Sequence, residues 1–283
     1  MPTLTVEKDA LGRSIDLHYE DIGYGPTVVL VHGWPFEHGM WESQCYALAS
    51  GGCRVIAYDQ RGFGRSSKPL EGYHYNRLSD DLRILLDKLD LRDVVLVGFS
   101  MGAAQAVYYM SRHLGQRVRQ VALVSSITPS LPGNGFVDTA LPGIERMAAR
   151  AGHERLAMME ELAEHMFRGA HVSVAKSVAL EWMTKFMAFP TSTKAWVDTA
   201  LALKETDTAD AVKSLVNVPT LVIHGTDDHV APFQANGQAT ADMLPDCVFK
   251  PYDGAPHGLF VTHAERLGED LLEFVHNPPS CVV

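Results

Sequence analysis

The stretch VVLVGFSMGAAQAVYYM, Val94 to Met110, changes its periodicity around one serine. An apolar, β-branched run of strand length breaks at Gly98-Phe99-Ser100-Met101-Gly102 and resumes with helical spacing. The spacing predicts a strand, a sharp turn and a helix, with Ser100 at the apex. Glycines two before and two after the serine matter physically, because residues without a Cβ let strand and helix approach closely around a strained backbone. Such an elbow pushes the serine Oγ out above the C-terminal edge of a sheet. It also puts the Met101 amide in the first turn of a helix, free to donate to an oxyanion. The string G-x-S-x-G also occurs in ordinary loops; the apolar strand before it and the helix after it are what favour the elbow here.

A serine hydroxyl is a poor nucleophile until an imidazole takes its proton, and the imidazole needs a carboxylate to hold its tautomer and stabilise its charged form. Two downstream segments supply these groups. VPTLVIHGTDDHVAP reads as a strand, Thr220 to His224, that ends in Gly225 and presents Asp227 and Asp228 in a loop closed by Pro232. CVFKPYDGAPHGLF reads as a short strand, Val248 to Tyr252, then a turn and His257 ahead of a closing helix. Adjacent side chains of an extended segment point to opposite sides, so one aspartate serves the histidine. Asp228 lies deeper in the loop and is the candidate acid, with Asp227 a solvated turn residue. Most of the 13 histidines read as surface or hydrogen-bonded core positions. His257 stands just past a terminal strand in a Gly/Pro-rich loop, whereas His263 starts the final helix and reads as structural or pocket-lining.

A second oxyanion donor must come from a loop near the elbow. PTVVLVHGWPFEHGMW reads as a buried strand, Val28 to His32, whose exit can aim the Trp34 amide at the same point as the Met101 amide. His32 reads as a loop brace. In AYDQRGFGRSSKP, Asp59 and Arg61 read as a structural ion pair or as turn anchors.

HGWP, YDQRGFGRSS, VGFSMG, HGTDDHVAP and DGAPHGL, in this order and spacing, resemble the α/β-hydrolase superfamily, and within it the cofactor-free haloperoxidase, aryl esterase and γ-lactonase branch. The resemblance covers nearly the whole chain and weakens in the middle. It implies Ser100 as nucleophile, His257 as base, Asp228 as its orienting acid, and Trp34 and Met101 as oxyanion amides. It implies an α/β fold: a mainly parallel eight-stranded sheet with helices on both faces and a helical cap insertion. Ala103-Ala104 stand where the branch often has further glycines or small residues, and Asp227 where a glycine is common. In the resembling esterases, a proline after the oxyanion tryptophan goes with perhydrolase activity, and Pro35 occupies that position. Proline fixes its own φ and restricts the residue before it. Pro35 therefore either shapes how Trp34 presents its amide and carbonyl to peroxide, or simply ends the strand.

A chain of 283 residues with 46% hydrophobic content can bury one sizeable core plus an insertion. Apolar runs alternate with amphipathic helical patterns, such as Leu78 to Leu89 and Leu267 to Val275, which points to a parallel sheet covered on both faces. Leu4 to Glu7 and Ile15 to Tyr19 alternate more strictly and read as an antiparallel edge. After the strand Val118 to Val124 the β-type runs vanish. The hydrolase core is thus expected over 1–126 and 208–283, and the helical cap over 127–207. Met183, Phe186, Met187 and Phe189, with Trp182 and Trp196, read either as a roof over a pocket or as core packing. Phe36, Phe99 and Ile127, nearer the elbow, are the further candidates for substrate contact, with Trp182 and Phe186 from the cap.

A net charge of -10 with scattered basic residues excludes an electrostatic footprint for nucleic acid. No apolar run is long enough to span a bilayer and the N-terminus lacks signal-peptide features, so a soluble, cytoplasmic protein is expected. Cys45, Cys53, Cys247 and Cys281 lack metal-type spacing and read as free thiols. No metal and no other cofactor is expected; the partner is a small-molecule ester or lactone, and a homo-oligomer is compatible with the sequence. Two further activities stand beside ester or lactone hydrolysis: perhydrolysis, and non-catalytic ligand binding on a hydrolase fold. Dehalogenase and epoxide hydrolase chemistries need a carboxylate at the elbow, and Ser100 opposes them.

Overall fold

The computed structural model describes residues 2–129, 150, 153–168 and 191–278, the side chains of 203–205 excepted. Its strands are β1 (Thr3–Lys8), β2 (Ser14–Gly23), β3 (Thr27–Val31), β4 (Arg54–Tyr58), β5 (Val94–Phe99), β6 (Val118–Val124), β7 (Thr220–Gly225) and β8 (Val248–Tyr252). They form one sheet in the order β1-β2-β4-β3-β5-β6-β7-β8. β3 to β8 pair in parallel, while β2 runs antiparallel to both β1 and β4. The expected antiparallel edge is therefore present, and β2 runs on to Gly23 because its second half, Tyr19 to Gly23, pairs with Tyr58 to Arg54 of β4.

The inner strands are continuous apolar runs because both faces of the sheet are covered. Alternate residues of β3 divide between two separate cores: Val28 and Leu30 join one, Val29 and Val31 the other. The longer helices are α1 (Glu42–Ser50), α2 (Tyr75–Lys88), α3 (Met101–Arg112), α4 (Arg155–Met166), α5 (Thr193–Glu205) and α6 (Ala264–His276). The first face carries Leu48 of α1 and Leu267, Leu271 and Phe274 of α6. Leu82, Leu85 and Leu86 of α2 and Ala103, Ala106 and Val107 of α3 fill the second. Each large apolar side chain so buried contributes about 1.5–3 kcal/mol. His263 stands at the N-terminal boundary of α6, as read from the sequence.

Two described helices, α4 and α5, fall within 127–207, and both send side chains into the first core, Met158 and Met159 from one and Trp196 from the other. Trp182, Met183, Phe186, Met187 and Phe189 lie outside the described residues.

Asp59 and Arg61 do not pair with each other, which corrects the ion-pair alternative; the turn-anchor alternative fits Asp59, whose Oδ2 accepts the Arg65 amide at 2.6 Å in the loop after β4. The Arg61 guanidinium donates to Asp81 of α2 at 2.6 and 2.8 Å and to Glu7 of β1 at 2.9 Å, tying the edge of the sheet to a covering helix. Asp59 instead turns toward His38. Both residues keep a structural role, each with a partner from another segment of the chain.

Candidate active site

β5 passes directly into α3 through Ser100, which adopts φ 52° and ψ -113°. Its amide donates to the Val124 carbonyl of β6 at 3.0 Å, fixing the apex to the next strand. The flanking glycines are required by close approach. A Cβ on Gly98 would stand 2.6 Å from the Ala103 Cα, and one on Gly102 would stand 2.6 Å from the His32 carbonyl oxygen. The first turn of α3 therefore lies against the exit of β3, the segment that carries Trp34. Met101 is the first residue of α3, where backbone N–H groups have no intrahelical acceptor.

The exits of β7 and β8 bring the other candidate groups to this point. His257 Nε2 lies 3.1 Å from Ser100 Oγ, and His257 Nδ1 lies 2.7 Å from Asp228 Oδ2. Asp228 Oδ1 accepts the amides of Val230 at 2.8 Å and Ala231 at 2.6 Å. Ser125 Oγ donates to the His257 carbonyl at 3.1 Å and steadies that loop. Burial opposes the charged form of Asp228. The positive charge available on His257, with hydrogen bonds from His224 and His257, outweighs it and holds the carboxyl well below the usual carboxylate range. Asp227, by contrast, is 43% exposed and pairs with His229 at 3.1 Å on the surface.

Phe99 and Phe36 are fully buried. The Phe99 ring packs on His257 with centroids 4.9 Å apart and edge-on against Phe260 at 4.8 Å, so it backs the imidazole. Phe36 meets Phe260 at 5.6 Å in the same cluster. Ile127 is buried in the loop after β6. Trp34 follows Gly33 in a tight turn closed by the Phe36 amide on the Gly33 carbonyl at 2.9 Å, and its bond to Pro35 is cis. The Trp34 indole donates to the Trp196 carbonyl of α5 at 3.0 Å, which links the loop to a helix of the 127–207 stretch. His32 Nε2 accepts the Gln60 amide at 3.0 Å, leaving Nδ1 to donate to the Gly33 carbonyl at 3.0 Å; both bonds brace the loop.

Sequence reading missed two histidine arrangements. His224, at the end of β7, approaches the same Asp228 oxygen that meets His257, at 3.2 Å. A histidine inside the apolar run VIHG is a buried polar group in need of a partner, and that was the available signal. The second joins His18, His38 and Asp59, whose potential metal-ligating atoms lie within 4.8 Å of one another. His38 Nδ1 stands 2.6 Å from Asp59 Oδ1 and 2.7 Å from Glu37 Oε2, nearer than two ligands of one ion stand to each other, so these groups are spent on an ion pair. Burial opposes a charge on His38, but hydrogen bonds to Asp59 and Glu37 overcome it and raise the ring to about 10.

That pair makes a pH-dependent contribution to stability. A raised folded-state value contributes fully below the ordinary value of 6.5 and fades as pH climbs toward about 10. His38→Gln is therefore expected to lower the urea midpoint much more near pH 6 than near pH 10. Equal losses at both would remove the charge from the argument.

Burial pushes the Cys45 thiol up to about 12 and Cys247 up to about 11, so neither is a nucleophile at neutral pH. Cys45, Cys53 and Cys247 are unpaired, and Cys281 lies outside the described residues. No helix among the described residues is long and apolar enough to cross a membrane.

Residues 26–264 match the model of a family described as alpha/beta hydrolase fold. The chain is 34% identical to the non-heme chloroperoxidase CPO-A1 of Kitasatospora aureofaciens over 270 residues, covering 93% of this chain and 96% of that one. It is 29% identical to the bifunctional esterase/perhydrolase DCH of Acinetobacter calcoaceticus, covering 93% and 97%. A bromoperoxidase from Bacillus anthracis superposes with a TM-score of 0.89 at 34% identity, covering 98% of this chain and 99% of that one.

Proposed function

The chain belongs to the alpha/beta hydrolase fold family, and from that premise we propose that it is a serine hydrolase cleaving carboxylic esters or lactones through an acyl-enzyme. The observation that carries this reading is the unbroken path from Ser100 Oγ through His257 to Asp228, with links of 3.1 and 2.7 Å. His257 Nε2 takes the Ser100 proton as Oγ attacks the acyl carbon. The amides of Met101 and Trp34 receive the oxyanion of the tetrahedral intermediate. His257 then returns the proton to the leaving alkoxide and activates water to release the acid. Asp228, held anionic, keeps Nδ1–H in place and offsets the imidazolium charge.

A hydrolysis screen of short aryl esters against γ-lactones and acyl-homoserine lactones, run beside labelling by an organophosphonate, tests the reading. Label is expected on the peptide containing Ser100. No hydrolysis and no label would leave a ligand-binding protein on a hydrolase fold. The same reading places 127–207 as a cap over a small-molecule site and the protein in the cytoplasm, in keeping with the unpaired thiols of Cys45, Cys53 and Cys247.

Perhydrolysis is the second reading, favoured by Pro35 and by relatives named as chloroperoxidases and an esterase/perhydrolase. Here hydrogen peroxide attacks the acyl-enzyme in place of water, releasing Ser100 and a peracid. Pro35 fixes the loop so that the Trp34 carbonyl can accept the peroxide's second hydroxyl. With acetate and peroxide the enzyme is expected to form peracetic acid, and Pro35→Leu to lower that rate much more than ester hydrolysis. Equal losses would make Pro35 a structural residue.

A further inference from the structure

His224 takes no part in the proton path, yet it touches the carboxylate at its end. The ring is fully buried at the exit of β7. Its Nε2 lies 2.8 Å from the Ala231 carbonyl oxygen and 3.2 Å from Asp228 Oδ2. A carbonyl can only accept, so Nε2 carries hydrogen and donates to Ala231, which turns the positive edge of the ring toward the Asp228 oxygen 3.2 Å away. The ring cannot easily leave this position. A Cβ on Gly237 would stand 2.5 Å from the His224 Cβ, and Phe233 closes a further side edge-on at 6.1 Å.

Three donors hydrogen-bond Asp228, the Val230 and Ala231 amides on Oδ1 and His257 Nδ1 on Oδ2, and His224 Nε2–H stands beside Oδ2 at 3.2 Å. Among the described residues, His224 and His257 are the titratable groups that pair with this carboxylate.

We propose that His224 is a positioning residue for the reaction: its Nε2–H fixes the Asp228 oxygen that holds His257 and limits how strongly that oxygen draws the shared proton. This rests on the serine-hydrolase reading above. Each added donor makes a carboxylate oxygen less basic. With His224 in place, Oδ2 orients His257 while its own basicity is held down. Without that donor, Oδ2 is more basic, a proton stays on His257 to higher pH, and the fraction of enzyme holding a competent base falls in the acidic range.

The test compares His224→Phe, which keeps a flat ring and removes the donor, with His224→Gln, whose amide nitrogen can still donate. For an ester the wild type hydrolyses, His224→Phe is expected to lower kcat roughly tenfold with KM little changed, the loss of one hydrogen bond to a charged group. The acidic limb of its pH–rate profile is expected to move to higher pH, and His224→Gln to restore the limb. If His224→Phe does not fold, His224→Met, which can refill the site without donating, takes its place. A uniform drop in kcat with an unmoved limb would make His224 a spacer, and wild-type rates would remove its role. A wild type inactive on every ester and lactone would instead overturn the hydrolase reading itself.

Discussion

Ser100→Ala is expected to lower ester hydrolysis by roughly a thousandfold or more, with the fold intact, and His257→Ala to do the same. The two losses should not add, because in the proposed mechanism neither group works without the other: the proton passes across the 3.1 Å contact between Oγ and Nε2. Steady-state kinetics of both single variants and the double variant check this, with circular dichroism to confirm folding. Activity near wild type in either single variant would sink the mechanism.

Asp228→Asn is expected to cost on the order of ten-thousandfold in kcat. The amide's orientation follows from its surroundings. The Val230 and Ala231 N–H groups, at 2.8 and 2.6 Å from Oδ1, demand an oxygen there, so the asparagine NH2 must turn to the Oδ2 side. There it would donate to His257 Nδ1, forcing the proton onto Nε2, where the imidazole cannot accept from Ser100. It would also face the Nε2–H of His224, donor against donor. Asp227→Asn, on the surface beside His229, should be mild. The reverse ranking would move the acid to Asp227.

The parts legible in the sequence share one signature, a strand-length run whose exit carries glycine or proline near a polar group. Ser100, Asp228 and His257 all stand at such exits, and the parallel sheet that aligns them was readable from the same runs. What escaped depends on registers between distant segments. His18 and Asp59 are neighbours because the ladder of β2 and β4 puts them side by side, with the Asp59 amide on the His18 carbonyl at 2.9 Å. Arg61 finds Asp81 only once α2 is laid on its face of the sheet. Phe36 and Phe99 were legible as neighbours of the elbow, while their packing on Phe260, and that of Phe99 on His257, depends on contacts that composition does not encode.

Ser100 holds φ 52° and ψ -113°, a conformation that glycine enters freely and that costs other residues on the order of 1–3 kcal/mol. Were folding the sole demand on this position, glycine would serve it better, relieving the turn and leaving the close strand–helix packing untouched. The chain is thus less stable at this point than its own architecture allows, and the deficit is the size of effect that separates a comfortable domain from a marginal one. Stability and activity oppose each other here within a single residue, so improvement of one by substitution must be sought elsewhere in the fold.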